Sequence, residues 1–291
     1  MVQSGPARKM TGAYKGDHMK LSIFKATFGY TVAVFVATSS AKAADLPSFV
    51  HDGVLKVCTA GDFPPMGFAE NPGDKELSGY EIDMVDALAK QWGAKTDYVV
   101  SEFKGLLPSL ESDRCGLVAS GMLIKPERLE HYDAIAHFRT SPVLVVAAST
   151  SDIKTPEDLS GKIVAVEAGT NYEKDAAALN ARLKADGKAE MTVQTYPGAS
   201  AVIQQILIGR AAATITQDTT AAYRGAQLPG RITTPYTYPE ADSYGLYIRK
   251  SPGDIKALRT AYDGLKTSGE LAQLLKKWNL PANATDVEQP K

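Results

Sequence analysis

The sequence predicts an α/β fold of two lobes, each a mostly parallel sheet flanked by helices, joined by two crossings that serve as hinges. Three observations carry this expectation. Apolar runs of strand length alternate with amphipathic helical stretches through most of the chain, the pattern of a parallel sheet covered on its faces. The polar stretch from Ser149 to Leu159 punctuates that alternation, which then starts again. A last strand pattern, Tyr244-Gly-Leu-Tyr-Ile248, precedes two closing helices and supplies the return crossing.

The first 43 residues stand apart from the fold. A basic stretch, an apolar run from Ala26 to Ala37 and the small-residue site Ala41-Lys42-Ala43 read as a secretory signal peptide. The apolar run is shorter than the roughly 18 residues that a membrane helix needs. The basic region is long for a signal, so Met19, heading Lys20-Leu-Ser-Ile-Phe24, is an alternative start. Cleavage near Ala43 delivers the mature chain to the periplasm and leaves 291 − 43 = 248 residues, enough for two cores. The expected division is lobe 1 over 44–144 and 241–280, lobe 2 over 145–240, and a disordered tail over 281–291, which is polar and aperiodic.

Each element has its own signal. Leu55 to Val57 begins a strand. After Gly79, Ile82, Val85, Leu88, Ala89 and Trp92 fall on one helical face, and Gly93 stops the helix. Tyr98 to Val100 is a strand; Leu106 to Ser112 is a short helix that admits Pro108 only in its first turn. Cys115 to Ser120 reads as a short buried strand, and Pro126 opens a helix at proline's favoured first position. Pro142 to Ala148 is an apolar strand that leads to the crossing. The second lobe repeats the pattern: strands at Ile163–Val166, Thr192–Tyr196 and Ala212–Ile215, with helices from Thr170, from Ala199 and after Asp218. Helices from Ser251 and from Glu270 to Trp278 close the chain.

Composition narrows the function. A net charge of −1 argues against a nucleic-acid partner. Four scattered histidines and no Cys/His cluster give a metal no support, and no cofactor is expected. Cys58 and Cys115 both fall in predicted strands of the first lobe; a disulfide in an oxidising compartment and two separately buried thiols are both open.

The stretch Ser120-Gly-Met-Leu-Ile-Lys-Pro-Glu-Arg128 places a guanidinium just past a small-residue turn at the carboxyl end of a strand, where open α/β sheets bind ligands. With Gly79-Tyr-Glu-Ile-Asp upstream and Gly169-Thr-Asn-Tyr-Glu downstream, its order and spacing resemble the periplasmic solute-binding proteins of polar amino-acid ABC transporters. The resemblance runs from about Gly53 to Trp278. It implies the type II periplasmic-binding-protein fold, and a monomer that closes on a small molecule and hands it to an inner-membrane permease.

It also implies a site. Arg128 can grip a carboxylate through two parallel hydrogen bonds. Thr170 and Asn171 open a helix whose free amides and positive dipole end favour the same anion, though a plain cap satisfies Thr170 equally. The loop Asp62-Phe63-Pro-Pro-Met-Gly-Phe68 should line the first-lobe side, with Phe63 and Phe103 as aromatic walls. Ser120, Gly121 and Met122 form the turn; the Ser120 carbonyl would meet an ammonium, and glycine lets backbone approach closely. Where relatives carry an ammonium-binding aspartate this chain has Gln217, with Asp218 one residue later and turned to the other face. Leu123 replaces a usual Thr or Ser, and Ala60 replaces the Asp of relatives for basic amino acids. The Gln217 and Leu123 departures weaken the ammonium site and spare the carboxylate site, which makes an amine-poor ligand conceivable, and Ala60 makes arginine, lysine and histidine less expected ligands. The competing reading is a prephenate or arogenate dehydratase of the same fold, whose acid would be Glu173 or Glu240. A sensor lobe that signals its bound state to a membrane partner is a third.

Overall fold

The computed structural model describes residues 46–71 and 74–290. The expected signal peptide and its expected cleavage site at Ala43 lie outside the described residues.

The first lobe begins with β1 (Val50–His51) and β2 (Val54–Thr59), followed by a small hairpin of β3 (Asp62–Phe63) and β4 (Gly67–Phe68). It continues through α1 (Tyr80–Gln91), β5 (Lys95–Val100), α2 (Leu106–Glu111), β6 (Leu117–Val118), α3 (Pro126–Leu129) and β7 (Tyr132–Thr140). Ser141 carries the chain into the second lobe, made of β8 (Pro142–Ala147), β9 (Ile163–Glu167), α4 (Asn171–Ala185), β10 (Thr192–Tyr196), α5 (Ala199–Leu207), β11 (Ala213–Gln217), α6 (Asp218–Gln227) and β12 (Ile232–Thr237). The return strand β13 (Asp242–Arg249) rejoins the first sheet, and α7 (Pro252–Ser268) and α8 (Glu270–Lys277) pack beside α1.

Each sheet has a parallel part and an antiparallel part. β2 runs parallel to β5 and β6, and β9 runs parallel to β10 and β11. The antiparallel neighbours are the strands that cross: β7 with β13 in one lobe, β8 with β12 in the other. Both crossings therefore run side by side, with Thr140 opposite Asp242 and Val143 opposite Thr237. Such a two-stranded ribbon resists slippage yet bends across its narrow dimension, which suits a hinge. The first crossing comes at Ser141, a few residues before the expected end of lobe 1 at 144, because β8 pairs from Pro142 onward with the second sheet.

Helix faces follow their periodicity. On α1, Ile82, Val85, Leu88, Ala89 and Trp92 are buried; on α4, Tyr172, Ala176, Leu179 and Leu183 recur at helical spacing and are buried. Cys58 and Cys115 form a disulfide with Cα atoms 5.7 Å apart, tying β2 to the segment before β6 inside the first lobe. Besides the two-residue strands β1, β3 and β4, two longer strands escape the sequence pattern. β7 carries Asp133, His137 and Arg139, and β12 has Pro235 and few apolar residues, so neither shows a clean apolar run.

The tail differs from the disorder expected of it. Residues 281–290 pack along β7, the edge strand of the first sheet. The Arg139 amide donates to the Ala284 carbonyl at 2.7 Å, and the Gln289 side chain bonds both the amide and the carbonyl of Ala136. Ala284 and Thr285 are buried. An open edge with unpaired backbone groups is the physical reason a polar, aperiodic segment becomes ordered here. No helix among the described residues is long and apolar enough to cross a membrane.

Candidate functional site

The turn after β6 is held from behind. Glu81, at the start of α1, is fully buried and accepts a hydrogen bond from the Gly121 amide at 2.8 Å; its other carboxylate oxygen lies 2.8 Å from Nε2 of the equally buried His137 on β7. The turn therefore does not offer the Gly121 amide to a ligand, contrary to the sequence expectation of open backbone. The Ser120 hydroxyl is also engaged, accepting from the Ala60 amide at 2.9 Å, whereas the Ser120 carbonyl has no donor among the described residues. Gly121 has φ +57°, and a Cβ there would come within 2.5 Å of the Phe63 ring. Glycine thus lets Phe63 lie flat against the turn.

Arg128, in α3, is aimed by two contacts. One terminal nitrogen donates to the Leu123 carbonyl at 2.9 Å, and the guanidinium carbon stands 5.9 Å from the centre of the Phe103 ring. The Leu123 carbonyl also accepts from the Tyr247 hydroxyl at 2.6 Å. The remaining guanidinium donors stay available for an anion.

In the second lobe, Thr170 is the N-cap of α4, but its hydroxyl donates to the Glu167 carbonyl at 2.6 Å instead of capping the helix. The first-turn amides of α4 are thus left without a side-chain cap. Gly169, with φ +80°, packs so tightly on Lys104 of the first lobe that a Cβ would lie 2.8 Å from the lysine Cα. Asn171 and Lys174 both reach Glu127 of the first lobe, at 3.4 and 2.6 Å. The Lys174 contact, aided by a backbone hydrogen bond, lowers the Glu127 carboxyl to about 2.

One small cavity joins these groups. Its wall consists of Ala60, Phe63, Phe103, Ser120, Gly121, Leu123 and Arg128 from the first lobe, and Glu167, Thr170, Asn171 and Tyr172 from the second. Its volume of ≈ 20 Å³ has room for about one water, against the roughly 300 Å³ at the lower end of ligand pockets. A larger molecule can enter only when the lobes part.

Seven predicted residues line this cavity: Phe63, Phe103, Ser120, Gly121, Arg128, Thr170 and Asn171. Four do not. Asp62 faces the second lobe away from this cavity, and its carboxylate accepts from the Ser200 amide at the start of α5, 3.3 Å away. Met122 points into the first-lobe core among Leu106, Leu110 and the disulfide. Gln217 and Asp218 belong to the hinge: the Thr140 hydroxyl lies 3.0 Å from Gln217 Oε1 and 2.7 Å from Asp218 Oδ1, and the Asp218 amide donates to the Ser141 carbonyl. Gln217, at the position where relatives carry the ammonium-binding aspartate, lies in the hinge and not on the cavity wall, and the Asp218 carboxylate accepts from the Thr219 amide at the start of α6.

Glu167 and Tyr172 were not anticipated. The available signal was a lone carboxylate ending the apolar run Ile163-Val-Ala-Val-Glu167, at the carboxyl end of a buried strand. Burial, and secondarily the nearby charge of Asp62, push the Glu167 carboxyl up to about 8.

A family model for bacterial extracellular solute-binding proteins, family 3, matches residues 55–281. The chain belongs to this family. Among its relatives, the L-cystine-binding protein TcyJ of Escherichia coli is 29% identical over 261 residues, covering 87% of this chain and 94% of that protein. The L-cystine-binding protein TcyA of Bacillus subtilis is 29% identical over 244 residues, covering 82% and 86%. An ancestral arginine-binding protein bound to arginine superposes with a TM-score of 0.71 at 28% identity, covering 78% of this chain and 98% of the other. The ancestral amino acid-binding protein AncCDT-1, a precursor of cyclohexadienyl dehydratase, superposes at 0.69 with 28% identity, covering 78% and 95%. The fold of this family 3 protein is accordingly the two-lobe, type II binding-protein fold. Its cavity lies at the carboxyl ends of the parallel strands of both lobes, as the general rule for open α/β sheets requires.

Proposed function

We propose that this protein is a periplasmic receptor. It captures a polar amino acid or related small carboxylate between its lobes and delivers it to an inner-membrane ABC permease, without chemistry on the ligand. The observation that carries this reading is the meeting of Arg128 from one lobe and the uncapped amino-terminal turn of α4 from the other at a single cavity. A carboxylate shared by the two would hold the lobes together, so occupancy and shape become linked by population shift. The relatives named for cystine and arginine support an amino-acid ligand. Asp62 acts on closure, Gln217 and Asp218 on the hinge and Met122 only in the first-lobe core in this reading, and the ligand set is Phe63, Phe103, Ser120, Gly121, Arg128, Thr170 and Asn171. The receptor works as a monomer with no cofactor.

A thermal-shift screen of the twenty amino acids, cystine, opines and small carboxylates tests it, since a ligand of the folded form raises the melting temperature by mass action. At least one compound should stabilise the wild-type protein, and R128A should abolish the shift. A full shift in R128A would place the carboxylate elsewhere.

The dehydratase reading keeps one observation in its favour: a carboxyl with a raised pKa, Glu167, faces the cavity. The residues first suggested as its acid do not serve, since Glu173 accepts from the Gly169 amide and Glu240 lines a separate groove. Prephenate carries two carboxylates, and the cavity wall supplies Arg128 as its single cation beside an acidic Glu167. Incubation with prephenate should yield no phenylpyruvate; turnover would establish the enzyme.

A further inference from the structure

Among the residues lining the cavity, the formal charges are Arg128 and Glu167. Arg128 is partly engaged by the Leu123 carbonyl. Glu167 is only 6% exposed, yet its carboxylate has no hydrogen-bond donor and no cation among the described residues. A buried carboxyl without a partner is costly, and such groups persist where something else completes them. The polar side chains at the end of β11 are already engaged. Gln217 is neutral and bonded to Thr140, and Asp218 is bonded to Thr140 and the Thr219 amide at the hinge. Asn171 Oδ1 and Thr220 Oγ1 are also buried and unpartnered; Asn171 lines the main cavity with Glu167, and Thr220 lines a second cavity of ≈ 10 Å³ that Glu167 also lines. Glu167 and Asn171 thus bring acceptors without donors to the second-lobe wall of a cavity whose first-lobe wall carries the Arg128 cation.

We infer that Glu167 receives the protonated amine of the ligand, so that the cleft selects zwitterions over amine-free carboxylates. The inference rests on the amino-acid reading above and deepens it. It replaces the aspartate position at the end of β11 with a carboxylate at the end of β9, two strands that lie side by side. It also reverses the sequence expectation of a weak ammonium site. With the anion end on Arg128 and the cation end on Glu167, a zwitterion would bridge the lobes through both of its charges and hold Glu167 ionised, whereas an amine-free acid would leave Glu167 to take up a proton on closure and forfeit that ion pair.

The test is a calorimetric and thermal-shift panel on the mature protein. Each of the twenty L-amino acids and L-cystine is paired with its amine-free counterpart, such as 4-carbamoylbutanoate for glutamine and 3,3′-dithiodipropanoate for cystine. Wild-type protein should bind at least one amine-bearing compound about ten- to a hundred-fold more tightly than its partner, the range for a charge-assisted hydrogen bond. E167Q, with its fold checked by circular dichroism, should lose most of that preference by binding the amino acid more weakly. Equal binding of both members of a pair by the wild-type protein would overturn the inference without recourse to any variant. So would an unchanged preference in E167Q. Binding of amine-free acids that R128A abolishes would leave the carboxylate cleft standing and remove only the role of Glu167, whereas no binding by any compound would overturn the amino-acid reading itself.

Discussion

At the scale of single residues, function and position separate cleanly around Arg128. Its guanidinium is pinned by one hydrogen bond to Leu123 and by the Phe103 ring, so its orientation is set before a ligand arrives. A lysine would keep the charge but lose both the planar fork and the stacking. R128K should therefore weaken the best ligand by roughly tenfold or more in titration calorimetry, and equal affinity would show that a point charge suffices. Glu167 carries a second prediction. In the closed form burial and Asp62 hold it near 8, while in an opened cleft water returns it toward its ordinary 4.5. Between those values the closed form keeps a proton that the open form has released. Closure without ligand is thus fully favoured below about 4.5 and is lost as the pH rises through about 8. Asp62, also raised by burial but countered by the Ser200 amide and Arg224, adds in the same direction, while Glu127, lowered to about 2 beside Lys174, titrates below this window. Distance measurements between labels on the two lobes should show this pH dependence in the wild-type protein and much less of it in E167Q; identical profiles would contradict it.

At the scale of elements, the parts legible in the sequence were those whose physics is local. α1, α4 and α5 follow from apolar spacing, α3 and α7 from a proline at the helix start, and the second-lobe strands β9 and β10 from short apolar or β-branched runs. Arg128, Phe63, Phe103, Thr170 and Asn171 were legible because a loop after a strand or the first turn of a helix marks them. What was not legible depends on distant partners. β7 hides its strand character because His137 is buried only by virtue of Glu81, 56 residues away in the chain. Met122 looks like part of the turn, yet its side chain goes to the core beside the disulfide. Asp62 and Asp218 are polar residues at strand ends, just where ligand groups belong, and only the packed structure shows them bonded to the start of α5 and to the hinge. The tail is the clearest case: nothing within residues 281–290 has periodicity, and their order comes from the open edge of β7. Truncation after Leu280 should accordingly expose the backbone of Ala136 and Arg139, lower the melting temperature by several degrees and promote association through the bare edge. An unchanged melting temperature and a monodisperse monomer would show that the tail contributes nothing.

At the scale of the whole molecule, two lobes share a paired ribbon, β7–β8 and β12–β13, and meet across a cavity with room for about one water. The lobes are also clasped at both rims, by Asp62 on the start of α5 and by Glu127 on Lys174. An amino acid can enter only after these clasps open, and in the proposed complex its two charges then pair with Arg128 and Glu167 across the cleft. Small-angle scattering should therefore show a ligand-free population more extended than the closed form, contracting when a stabilising amino acid is added. A radius of gyration that is closed-like and indifferent to ligand would mean that the hinge does not act. The most direct test of the central claim is a crystal structure of the protein with its best amino acid from the binding panel. The account predicts the ligand carboxylate between the Arg128 guanidinium and the first-turn amides of α4, within hydrogen-bond distance of both lobes. A carboxylate bound by one lobe alone, or a ligand seated outside the cleft, would contradict it.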